Sequence, residues 1–247
     1  MSHKKPLPAQ GDIIRMEKTK DNAVILFARD PILGRVKTRL RPSFDDETIL
    51  KLYICFVEDS LEKIRQVDNV KCFVGVSPDN HSGFFKRIES FGMSLFAQQG
   101  KDLGDKMRQA FVDRFAEGYK KIVIIGSDSP SLPVSYINKA LASEKDLVLG
   151  PSIDGGYYLI AMSDKVSEVF SGVPWGTKNV LDKTLEKIKG ASMSLELLPI
   201  WYDVDSPDDL KFLKTHLELI THSGLCVGRK TKIFLDEISF NRGGFLK

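Results

Sequence analysis

Residues 24–42, VILFARDPILGRVKTRLRP, constrain this chain more than any other stretch. The apolar run 23–28 is rich in β-branched and bulky residues and reads as a short buried strand. The loop after it carries Pro31, Gly34 and five cations: Arg29, Arg35, Lys37, Arg39 and Arg41. Like charges this close repel unless an anion sits among them. Open α/β sheets bind ligands just beyond the carboxyl ends of their strands. Glycine lets backbone approach phosphate oxygens, Arg offers a planar fork and Lys a point charge. The loop is therefore expected to wrap a polyphosphate; the alternative is a solvated basic loop for nucleic acid or an acidic partner. Neither G-x-x-x-x-G-K-[ST] nor G-x-G-x-x-G occurs.

The rest of the chain repeats the strand–loop–helix order. Ser43 precedes Asp46 at capping-box spacing, and Ile49, Leu52, Tyr53, Phe56, Val57, Leu61 and Ile64 recur at helical spacing. Strands are expected at 70–76, 94–97, 122–125, 146–149, 157–162 and 192–200. The run KIVIIG at 121–126 is apolar throughout, as in the centre of a parallel sheet. Weaker helices are expected at 81–91 and just before 174–179. Ser206, Pro207, Asp208 and Asp209 form a helix start. The pattern predicts a mostly parallel α/β sheet with helices on both faces. Residues 1–21 read as a flexible leader, 22–220 as one α/β domain and 221–247 as a C-terminal extension.

Composition sets outer limits. A net charge of +3 over 247 residues is too small to imply nucleic acid. Cys55, Cys72 and Cys226 have no metal spacing, so a reducing cytoplasm is expected. No run approaches the roughly 18 apolar residues of a membrane span.

Acids stand where strands are expected to end: Asp128 after KIVIIG, Asp154 before Gly155-Gly156, and Asp203 and Asp205 after the last strand. Carboxylates gathered at neighbouring strand ends suit a divalent cation, and with a basic loop they are the parts of phosphoryl-group chemistry. Turn chemistry is the alternative for Asp128 and Asp154, and core packing for Tyr157 and Trp175.

FARDPILGRVKTRL, GSDSPSLP, GPSIDGGYYLIAM and DVDSPDDL occur here in that order. Together they resemble the radical-SAM/selenodomain-associated transferases of the nucleotide-diphospho-sugar transferase superfamily, and are similar to the guanylyltransferase that activates phospholactate. The resemblance covers about 23–217 and implies a GT-A fold. It implies that Arg35, Lys37, Arg39 and Asp128 are catalytic, the first three holding phosphates. Ala28, Gly34, Gln98, Gly100, Asp102, Leu103 and Gly104 would take the nucleotide. Asp154, Gly155, Gly156, Tyr157 and Trp175 would face the acceptor. Asp128 and Asp205 would hold Mg²⁺ or Mn²⁺. Ser127-Asp128-Ser129 has one acid where glycosyltransferases of this fold usually show D-x-D. The expected function is nucleotidyl transfer from a nucleoside triphosphate to a phosphorylated small molecule, with release of pyrophosphate. The alternatives are a glycosyltransferase using a nucleotide-sugar and a non-catalytic nucleotide-binding protein. Nucleotide and acceptor are the expected partners, with no nucleic acid and no membrane.

Overall fold

The computed structural model of the chain describes residues 21–78 and 82–238. All but the last residue of the expected leader, and the end of the C-terminal extension, lie outside the described residues.

Seven strands form one sheet: β1 (Asn22–Arg29), β2 (Val70–Ser77), β3 (Ser94–Ala97), β4 (Lys121–Gly126), β5 (Leu147–Pro151), β6 (Tyr157–Ser163) and β7 (Leu195–Leu197). Their order across the sheet is β3-β2-β1-β4-β6-β5-β7. Only β6 runs against its neighbours, pairing antiparallel with both β4 and β5. The helices are α1 (Asp46–Arg65), α2 (Leu103–Ala116), α3 (Val134–Ala142), α4 (Val180–Gly190), α5 (Pro207–His222) and α6 (Arg229–Glu237).

The period of a strand explains the layers. Successive side chains of β1 point to opposite faces, and both faces are covered. Val24, Leu26 and Ala28 pack with Tyr53, Val57 and Ile64 of α1 and with Ile137 and Ala140 of α3. Ala23, Ile25 and Phe27 pack with Met107, Ala110 and Phe111 of α2 and with Ile188 of α4. A third cluster joins α1 to α5 and α6 through Leu52, Phe56, Leu213, Leu217 and Leu235.

Local sequence signals account for the helix ends. Ser206 and Asp209 form a complete capping box on α5, with Pro207 in its first turn. For α1 the cap is Asp45, whose carboxylate accepts from the Thr48 N–H, so the expected Ser43–Asp46 box gives way to an aspartate cap two residues later. The expected helix at 81–91 is a 3₁₀ helix at Phe84–Phe91, and no helix lies between β6 and Pro174. The expected long strand at 192–200 pairs regularly only over β7. Beyond it Pro199 can donate no hydrogen bond. The chain nonetheless stays beside β5: Leu198 N donates to Leu149 O at 2.8 Å and Trp201 N to Pro151 O at 3.1 Å.

That run of single bonds positions the chemistry. It carries the chain past the end of β5 until Val204 N donates to Asp128 O at 3.0 Å. The segment holding Asp203 and Asp205 is thereby fastened to the loop that leaves β4.

Candidate active site

A cleft of about 980 Å³ opens at the carboxyl ends of β1, β2 and β4. Its lining includes Arg29, Arg35, Lys37, Arg39, Asp128, Asp203 and Asp205, with Ala28, Gln98, Asp102 and Leu103 also on its wall. The basic loop and two of the three acidic motifs thus meet in one place. Tyr53 of α1 helps to fix the rim. Its hydroxyl accepts from Arg29 N at 2.8 Å, donates to Arg29 O at 3.1 Å and lies 3.3 Å from Ser127 Oγ, tying the end of β1 to that of β4. Burial pushes this phenol up to about 12.

Lys37 sits at the centre. Its Nζ is 2.8 Å from Asp128 Oδ1 and 2.8 Å from Asp205 Oδ1, and its side chain is 5% exposed. Burial alone would lower the ammonium's pKa, but the two carboxylates outweigh it and hold the pKa above the usual lysine value. Burial likewise pushes on Asp205, yet Lys37 keeps its carboxyl below the usual range. Asp203 differs: burial, and then the Asp128 charge, raise it to about 6, against hydrogen bonds from Ser129 Oγ and Ser152 Oγ.

The cations of the loop divide into two groups. Arg39 reaches Asp205 Oδ2 at 3.4 Å, and Arg41 binds Asp46 at 2.8 Å while donating to Gly34 O at 3.0 Å. Their mutual repulsion is therefore relieved largely inside the protein, not by an external anion as the sequence suggests. Arg29 and Arg35 are exposed on the cleft wall, and among the described residues neither forms an ion pair, although the Arg29 charge helps to keep Asp205 low. The same correction applies to the acids: the repulsion between Asp128 and Asp205 is met by Lys37.

The structure distributes the other expected site residues unevenly. Gln98 lines the cleft, but its Nε2 is bound to Gly75 O at 2.8 Å and Ala28 O at 3.3 Å, holding β2 to β1. Gly34, Gly100 and Gly104 lie off the cleft lining, as do Asp154, Gly155, Gly156 and Trp175. A Cβ at Gly104 would come 2.2 Å from Trp175 Nε1, so this glycine lets α2 pack on the indole. Trp175 in turn meets the ring of Tyr157 edge-on at 6.0 Å, and Tyr157 does line the cleft. Asp154 Oδ1 accepts from Gly156 N at 3.0 Å, which is turn chemistry.

Asp203, Lys106 and Arg29 line the cleft without an individual role assigned from sequence. Asp203 was visible as an acid but had no stated role. Lys106, one turn after Asp102 on α2, lines the cleft and donates to Ser77 Oγ at 2.8 Å. Arg29 ends β1 just before the basic loop and, unlike Arg39 and Arg41, forms no direct ion pair among the described residues.

Two carboxylates converging on one cation match the way a hard divalent ion is held, with phosphate oxygens completing the shell. Among the described residues no group of three or more His, Cys, Asp or Glu could hold a metal ion. Two carboxylate oxygens alone leave a divalent ion's shell incomplete, so such an ion at this pair would need further oxygen ligands from a phosphate.

Residues 60–177 match the family described as "Uncharacterized protein conserved in bacteria (DUF2064)". The fold superposes with a TM-score of 0.79 on a crystal structure from Desulfovibrio desulfuricans G20, provisionally described as a nucleotide-diphospho-sugar transferase. The two chains are 30% identical over 88% of this chain and 95% of that one. The chain belongs to the same family as that Desulfovibrio protein. No curated protein sequence matches this chain. The chain also shares its fold with the inositol-1-phosphate CTP transferase of T. maritima, at TM-score 0.52 and 17% identity over 84% and 98% of the two chains. A cytidylyltransferase from Leptospira borgpetersenii gives 0.52 and 15% over 91% and 96%. The architecture is that of the nucleotide-diphospho-sugar transferases, a mostly parallel sheet between layers of helices, as the sequence motifs imply. Among the described residues no helix is long and apolar enough to cross a membrane.

Proposed function

We propose that this protein is a metal-dependent nucleotidyltransferase that moves a nucleotidyl group from a nucleoside triphosphate to a phosphorylated small molecule. One observation carries the reading: in a single cleft the carboxylate pair Asp128–Asp205 stands with two exposed arginines, Arg29 and Arg35, that form no direct ion pair among the described residues. An acceptor phosphate oxygen forms a bond to the α-phosphorus while the bond to the bridging oxygen breaks, and pyrophosphate leaves. The acceptor is already an anion, so no side chain need remove a proton. Arg29 and Arg35 take the β- and γ-phosphates, where negative charge grows in the transition state. Ala28, Gln98, Asp102 and Leu103 form the wall for the nucleoside, and Tyr157 faces the acceptor. Asp128 and Asp205 would hold Mg²⁺ or Mn²⁺, which when bound neutralises phosphate charge.

Thermal-shift measurements with Mg²⁺ and a panel of nucleoside triphosphates and nucleotide-sugars test this. Stabilisation by at least one triphosphate, lost in Arg35→Ala, is expected. Stabilisation by nucleotide-sugars alone would assign a glycosyltransferase instead. Salt-sensitive binding of random DNA or RNA with no response to nucleotides would remove the enzymatic reading.

A further inference from the structure

Lys37 is the cation of the basic loop whose charge is drawn into the protein. It bonds one oxygen of each carboxylate assigned above to the metal. An ammonium and a divalent ion satisfy the same two carboxylates, and both are cations, so they cannot share the point between them. The backbone at Lys37 is left-handed, with φ 45 and ψ 39, a region disfavoured for any residue with a Cβ. Such a conformation persists only while its surroundings hold it, and here the two ion pairs do so. The ammonium also lies 6.0 Å from the Phe56 ring centroid.

We propose that Lys37 is a built-in competitor for the divalent cation. Without phosphate it closes the Asp128–Asp205 pair with its own charge. A phosphate ligand that draws the ammonium away opens the pair to a metal. Metal and polyphosphate then bind with positive coupling, because each removes the obstacle to the other. The inference rests on the metal role given to Asp128 and Asp205 above.

Mn²⁺ alone, titrated onto the full chain and followed by electron paramagnetic resonance, tests it without reference to turnover. Lys37→Met is expected to bind Mn²⁺ roughly tenfold or more tightly than wild type, since charged hydrogen bonds are worth about that factor. Asp128→Asn in the same background is expected to abolish the gain. Lys37→Gln, which keeps a long stem and a polar tip, serves if the methionine variant fails to fold, with the same gain expected. Equal or weaker Mn²⁺ binding by the variants would overturn the competition and leave the metal role standing. No Mn²⁺ binding by any variant at millimolar concentration would overturn both.

Discussion

The main-chain N–H of Val204 donates to the carbonyl of Asp128 at 3.0 Å, and this bond joins two distant parts of the chain at the mouth of the cleft. Asp128 follows β4, at the centre of the sheet, whereas Asp205 follows the short β7 at its edge. The bond brings their side chains to a common ammonium and makes the pair a property of the fold.

Asp128→Asn is expected to lower kcat by on the order of 100-fold or more, since it removes charge from the position proposed to hold the metal. It also leaves Lys37 buried with one carboxylate instead of two. Stability should fall by about 1–3 kcal/mol. Steady-state kinetics and urea denaturation check the two parts. A variant that is destabilised yet fully active per folded molecule would assign Asp128 to the turn alone.

Arg35→Ala should leave the melting temperature nearly unchanged, because the side chain is exposed and without a carboxylate partner. A charge-assisted hydrogen bond to phosphate is worth about 1.5–3 kcal/mol, so kcat/KM for the triphosphate should drop roughly 10- to 100-fold. Arg35→Lys should recover only part, for lack of the planar fork. Arg39→Ala should cost less, because Arg39 is engaged, if weakly, with Asp205. Calorimetric titration of nucleotide orders the three variants.

A pH effect follows from Lys63 on α1. It is 3% exposed and donates to Ser129 O at 2.9 Å. Burial, only partly offset by Asp59, pulls its pKa down to about 7. The unfolded chain has an ordinary lysine near 10.4, so between about pH 7 and 10 the unfolded state holds the extra proton. Stability therefore rises with pH across that window. Lys63→Met lacks this slope. Its stability relative to wild type should be most favourable below pH 7 and decline toward pH 10, by on the order of a few kcal/mol, and melting temperatures across pH report it. A difference independent of pH would show that Lys63 titrates normally.

Much of this architecture was legible in the sequence, and the limits have physical causes. β1, KIVIIG and α1 announce themselves through apolar runs and helical spacing that fall within one element. Ser206 and Asp209 announce α5 because a capping box closes within four residues. β7 is three residues long, and the chain beyond it is held by isolated bonds to β5, which no periodicity records. The cations of the basic loop could be counted, but not sorted. Whether Lys37 faces phosphate or Asp205 depends on how the β7 segment crosses the Asp128 loop. The glycine at 104 looked like part of a nucleotide loop, and its tightest neighbour is the indole of Trp175.

Asp59 shows the same limit and yields a further expectation. It lies on the inner face of α1, 5% exposed, and its carboxylate accepts from Lys230 N at 2.9 Å and Thr231 N at 2.8 Å. It thus caps α6 from another helix, where Gly228 supplies no side chain. Asp59→Ala should cost about 1–2 kcal/mol of stability, as for loss of a helix cap. Amide exchange should speed up in α6 first, with KM for nucleotide little changed. Uniform acceleration across the sheet would mean that α6 and the sheet open as one unit.

The most direct measurement is a crystal structure with a non-hydrolysable nucleoside triphosphate and Mg²⁺. The account predicts the β- and γ-phosphates on Arg29 and Arg35, the nucleoside along Ala28 and Gln98, and the metal on Asp128 and Asp205 with Lys37 turned to phosphate. A triphosphate bound elsewhere, or an empty cleft at saturating ligand, would contradict it.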